Sequence, residues 1–201
     1  FVNQYLTDLG TYIGQYQDKK PFALTFYIAK DPQLNAFAGP AGHVFIYSGL
    51  INIMDQVDEL ASVVAHEIGH VSVRHLSGQA EKSKLVGLGT MAGVLAGALI
   101  GGDVSDALIV GSIAAGTQTM LSYSRDDERE ADQLGFRFAD AAGFKPEAFI
   151  SALAKLQQGQ WGANKTPAYL LTHPVDSERM SNLETMSRQY SISARNNEET
   201  E

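Results

Sequence analysis

Residues 55–77, DQVDELASVVAHEIGHVSVRHLS, hold the pattern that decides the fold. Leu60, Ala61, Val64, Ile68 and Val71 recur at helical spacing. The stretch reads as a helix with Asp55 as N-cap and Gly78 just past its end at about Ser77. His66 and His70, four residues apart, lie about 40° apart around such a helix and share one face, nearly opposite the apolar stripe. Glu67 lies about 100° round from His66, where it can border an ion held by the imidazoles without binding it. Neutral imidazole is a good zinc ligand, and a carboxylate between two of them is placed to take a proton from water. His66-Glu67-Ile68-Gly69-His70 is a complete H-E-x-x-H motif and points to catalytic zinc, one ion per chain.

A catalytic zinc takes three protein ligands and keeps a fourth position open. His75 fails as the third, because continued helix puts it about 180° from His66. It reads as a capping or core histidine near a helix C-terminus. The better candidate lies in Ser124-Arg125-Asp126-Asp127-Glu128-Arg129-Glu130-Ala131-Asp132. Glu128 and Asp132 share a helix face with Ala131, Gly135, Ala139 and Ala142, and carboxylates on an inward-packing face need a compensating cation or donors. Zinc bound by Glu128 supplies the charge, and Asp132 can accept the second-nitrogen proton of a ligating histidine. The opposing reading, an acidic solvated first turn, fits Asp126, Asp127 and Glu130 and stays open for Glu128 and Asp132.

Outward from these helices the pattern is α+β and mostly helical. Phe1 to about Lys19 carries a helical stripe, Phe22–Ala29 and His43–Tyr47 read as strands, and Gly39-Pro40-Ala41-Gly42 is a turn. A small antiparallel sheet or hairpin beside the metal helix is expected. Helices are expected over Asp126–Ala142, from Pro146 to about Gln158 and over Ser177–Tyr190, with a loop at Trp161–Pro174 and a frayed tail at 196–201. Leu85–Gly102 has no charge and repeats Gly89, Gly93, Gly97 and Gly101, a spacing that allows close helix packing. The following apolar run, Ala107–Thr117, falls short of the ~20 residues that span a bilayer, so a packed helical hairpin is expected, with membrane-surface contact as the minority reading.

A length of 201 residues suits one domain over 1–201, with 1–20 as its N-terminal helix. Lys+Arg 15 against Asp+Glu 23 gives −8, which argues against a nucleic-acid surface. The absence of cysteine removes disulfides, thiolate ligands and cysteine nucleophiles together. The chain starts at Phe1 rather than Met, so a processed N-terminus is expected.

H-E-x-x-H followed some sixty residues later by Glu128-Arg129-Glu130-Ala131-Asp132 resembles the zinc metallopeptidases of the CAAX-prenyl-protease and HtpX type, closest to their soluble BepA-like envelope members. The resemblance runs from about Asp31 to Met186 and takes in Asn35-Ala36-Phe37-Ala38, Gly49-Leu50, and His173-Pro174 with Arg179. It implies a zincin-like (gluzincin) domain with Glu128 as third ligand and Asp132 behind the ligands. It makes His173 and Arg179 active-site groups, where spacing alone gives a loop histidine and a surface cation. A zincin edge strand holds extended substrate by backbone pairing, so Asn35, Ala36, Phe37, His43, Val44 and Phe45 are candidate substrate contacts. The implied function is a zinc metalloendopeptidase of envelope protein quality control, periplasmic or at the cell envelope. Its substrates would be misfolded or stalled envelope polypeptides, with a membrane-surface or outer-membrane assembly partner. The alternative is a zinc-binding chaperone or assembly factor whose peptidase is latent, with His173 closing the fourth position. A purely structural metal site is disfavoured, since it has no need of a general base.

Overall fold

The computed structural model describes residues 1–76, 78, 123–162 and 166–198; the Gly/Ala-rich segment expected as a helical hairpin lies outside these described residues. The first helix, α1 (Val2–Gly14), buries Leu6, Leu9 and Ile13. It stops short of the expected Lys19 because the chain turns inward: Gln17 is buried and its amide donates to Ser72 Oγ at 2.7 Å.

Three strands follow, β1 (Thr25–Ala29), β2 (Ala36–Ala38) and β3 (His43–Tyr47), in the order β1-β3-β2. The expected antiparallel sheet is in fact mixed: β3 pairs parallel with β1 and antiparallel with β2. The chain reverses twice. Asp31-Pro32 ends β1, with Asp31 Oδ1 accepting from the Gln33 N–H at 2.8 Å, and Asn35–Ala38, expected only as a lead-in to the turn, is laid down as β2. The Pro40–Gly42 turn then reverses the chain again, so β3 regains the direction of β1 and slots between the other two. Gly42 is needed in that turn: its φ is 86°, and a Cβ there would lie 2.4 Å from the Ala23 carbonyl oxygen. Phe26, Ala36, Ala38, Val44 and Ile46 face the core. On the other face Tyr27, Phe45 and Phe37 form a stacked row, with ring centroids 4.9 and 4.8 Å apart.

After the short α2 (Ser48–Asn52) comes α3 (Val57–Ser72), which carries the two histidines and is buried without interruption from Glu59 to Val71. Its N-cap is Gln56 rather than Asp55; Glu59 accepts from the Asp55 backbone N–H at 2.8 Å and from Lys155 Nζ at 2.6 Å. Its end falls at Ser72 rather than Ser77, because Arg74 turns the chain with φ 60°.

The second site helix, α4 (Arg125–Ala141), is capped reciprocally by Ser124 and Asp127 and stops before Gly143, whose φ is 80°. Then come α5 (Ala148–Gly162), α6 (Ala168–Thr172) and α7 (Ser177–Glu198). Three expectations are corrected here. α5 runs through Trp161, α6 occupies part of the expected loop, and α7 continues into the expected frayed tail. Among the described residues no helix is long and apolar enough to cross a membrane.

Candidate metal centre

The site lies where α3 and α4 run antiparallel and touch through backbone. A Cβ at Gly69 would lie 2.8 Å from the Ala131 carbonyl oxygen, and one at Gly135 would lie 3.0 Å from His66 Cα. Only glycine allows this approach, and the approach fixes what the side chains can reach. His66 Nδ1 stands 3.0 Å from Asp132 Oδ1, leaving Nε2 to face inward. The Nε2 atoms of His66 and His70 are 3.0 Å apart, and they lie 3.4 and 3.5 Å from the two carboxylate oxygens of Glu128.

His173 completes the cluster. It follows α6 directly, and its N–H donates to the Tyr169 carbonyl at 2.8 Å; the Tyr169 N–H in turn donates to the Leu34 carbonyl at 3.1 Å. His173 Nδ1 lies 2.9 Å from Glu128 Oε1 and 3.4 Å from His66 Nε2. One donor atom from each of His66, His70, Glu128 and His173 falls within 4.8 Å of the others, and all four residues are buried.

Arg179, near the start of α7, sits behind them. Its Nε and Nη2 grip both oxygens of Asp132 at 2.9 and 2.8 Å, and its Nη1 meets Glu128 Oε2 and the Pro174 carbonyl. Far from being a surface cation it is 7% exposed. Glu67 is wholly buried, and among the described residues neither of its carboxylate oxygens has a hydrogen-bond partner; Oε1 is 3.6 Å from His173 Nε2.

The electrostatics show a site built for positive charge. Burial works against ionising Glu128, yet His173 and Arg179 outweigh it and hold its carboxyl well below the usual range. Asp132 is lowered against its burial by Arg179 and His66. Burial disfavours a charged His66, but the neighbouring carboxylates of Asp132 and Glu128 outweigh it and carry its pKa up to about 9. His70, dominated by burial, falls well below its usual range and stays neutral, as a ligand must. Two imidazoles and a carboxylate with inward-facing donor atoms, plus an unpartnered buried carboxylate beside them, fit zinc.

Sequence reasoning missed two aromatic neighbours. Tyr123 stacks on His70 with centroids 4.0 Å apart, and Tyr169 stacks on His173 at 4.4 Å. Both rings arrive by tertiary folding, and neither belongs to a local pattern. The expected substrate contacts divide. β3 is paired on both sides, so His43, Val44 and Phe45 do not form an edge, and Val44 is fully buried. Among the described residues β2 pairs only with β3, so Ala36 and Phe37 lie on an edge strand, with Asn35 just before it.

Fold and site together set a buried group of metal-ligand type, His66, His70, Glu128 and His173, on two closely packed helices and the stretch after α6. The chain belongs to peptidase family M48, whose model matches residues 13–187. It is 33% identical to the β-barrel assembly-enhancing protease of Yersinia pestis over 191 residues, 94% of this chain and 39% of that one. It is 35% identical to the putative β-barrel assembly-enhancing protease of Vibrio cholerae over 195 residues, 94% of this chain and 40% of the other. With the metalloprotease LoiP of Escherichia coli it shares 30% over 188 residues, 89% and 68% of the two chains. The chain thus spans about two-fifths of the length of the assembly-enhancing relatives.

Proposed function

We propose that residues 1–201 form one zincin-like (gluzincin) domain that cleaves peptide bonds with a single zinc held by His66, His70 and Glu128. The observation that carries this reading is Glu67: a fully buried carboxylate whose oxygens have no hydrogen-bond partner among the described residues, adjoining a convergent His/His/Glu set. Such a group is costly unless a reaction or an ion uses it. Bound zinc supplies Lewis acidity there, polarising the scissile carbonyl and acidifying water. Glu67 takes the proton from the attacking water and delivers it to the leaving amine. Asp132 holds the Nδ1 proton of His66 and is itself held by Arg179. His173 Nε2, without a hydrogen-bond partner among the described residues, is available to the substrate's developing oxyanion.

The names of the relatives suggest a biological setting for this activity. We place the chain in the bacterial envelope or periplasm, acting on misfolded or stalled polypeptides of outer-membrane β-barrel assembly and on no nucleic acid. The edge strand β2 supplies backbone pairing for an extended substrate through Asn35, Ala36 and Phe37. A second reading, a latent peptidase acting as an assembly factor, is favoured by one observation: His173 already stands among the ligands.

The test is zinc content and casein proteolysis of wild type beside Glu67→Gln. The expected result is one zinc in both proteins and proteolysis reduced about 10²–10⁴-fold in the variant. Undiminished proteolysis in Glu67→Gln removes it as the base.

A further inference from the structure

His75 is not idle. The turn at Arg74 brings it back beside His70, where its Nδ1 lies 2.9 Å from His70 Nδ1, while its Nε2 faces Glu130 Oε2 at 3.3 Å and Asp127 Oδ1 at 3.7 Å. Its ring is 7% exposed and sits edge-on to His70 at 5.0 Å, with Tyr123 against both.

We propose that His75 is the positioning residue of His70, accepting the proton on His70 Nδ1 so that the Nε2 lone pair is presented to the metal. This rests on His70 being a zinc ligand. The argument is one of proton accounting. His70 Nε2 points into the donor cluster and must be bare to ligate, so the single proton of the neutral ring lies on Nδ1. A buried N–H needs an acceptor, and the atom facing it is His75 Nδ1. That nitrogen can accept only if the His75 proton sits on Nε2, where the carboxylate of Glu130 receives it. The chain Glu130–His75–His70 therefore has one consistent proton arrangement. The two ligand imidazoles face different groups, His66 a buried carboxylate and His70 an imidazole that itself faces the half-exposed carboxylate of Glu130.

The experiment measures zinc affinity of the full chain by chelator competition for wild type, Glu128→Ala, His75→Leu and His75→Asn. His75→Leu removes the acceptor and is expected to weaken zinc binding about 10–100-fold. His75→Asn places an amide oxygen near the lost Nδ1 and is expected to recover most of that loss, which a packing role alone would not produce. Wild-type affinity in His75→Leu, or an Asn variant as weak as Leu, overturns the proposal. Long-range ¹H–¹⁵N spectra of metal-free wild type supply an arm that needs no variant to fold: His75 protonated at Nε2 is expected, and protonation at Nδ1 overturns it. If wild type holds zinc no better than Glu128→Ala, the metal reading fails instead, and the tautomer spectrum still decides His75.

Discussion

Asp132 faces His66 Nδ1 at 3.0 Å and accepts from Arg179, so its charge does two jobs in one buried place. Asp132→Asn keeps the shape but leaves the Arg179 guanidinium facing an amide, and loss of one partner of a buried pair is strongly destabilising. Zinc affinity in this variant is expected to fall about 10–100-fold, together with a lower Tm. A chelator titration matching wild type would show that the carboxylate does not orient His66. His173 allows a cleaner decision. If it occupies the fourth ligand position, His173→Ala raises basal peptidase activity. If it serves the oxyanion, the same change lowers turnover by about 10²–10³-fold. Its Nδ1 is engaged with Glu128 Oε1 at 2.9 Å while its Nε2 has no hydrogen-bond partner among the described residues, so the proposed oxyanion role predicts a fall, and a rise would favour the latent reading. Peptidase rates without change would remove His173 from the site's chemistry.

Among the elements, α3 and α4 govern the site through their glycine contacts. Gly69→Ala must push the Ala131 backbone away, and overpacking of that kind costs about 1–3 kcal/mol. Because Glu128 and Asp132 ride on the displaced helix, thermal unfolding and zinc affinity are expected to fall together. A drop in Tm with full zinc affinity would show that the ligands do not depend on this spacing. These helices were legible because their information is local: His66 with His70, and Glu128 with Asp132, are each separated by one helical turn, and caps and stops such as Ser124 and Gly143 are written beside them. The sheet was less so. Residues 22–29 and 43–47 show strand character, but the parallel pairing of Thr25 with His43 is a tertiary choice that periodicity does not encode. His75 was misplaced for a related reason: extending α3 as an ideal helix sends it to the far face, whereas the left-handed Arg74 returns it to His70. His173 and Arg179 lie on the last part of the chain, and only folding shows that they are buried.

At the scale of the whole molecule, the antiparallel lie of α3 and α4 has a consequence for everything between them. His75, just past the end of α3, is 3.7 Å from Asp127 in the first turn of α4, and its ring is 6.3 Å from that of Tyr123. The described chain up to residue 78 and from residue 123 onward therefore lies side by side here. Halving the length of a flexible connection between two such neighbouring ends changes the closure free energy by only about 0.6 kcal/mol. A chimera in which residues 79–121 are exchanged for a short Gly/Ser linker is expected to fold and to bind one zinc as tightly as the parent, read by chelator competition; loss of the ion would show that the segment helps build the centre. The two described ends stand close enough that what joins them could be exchanged without drawing the ligands on α3 and α4 apart.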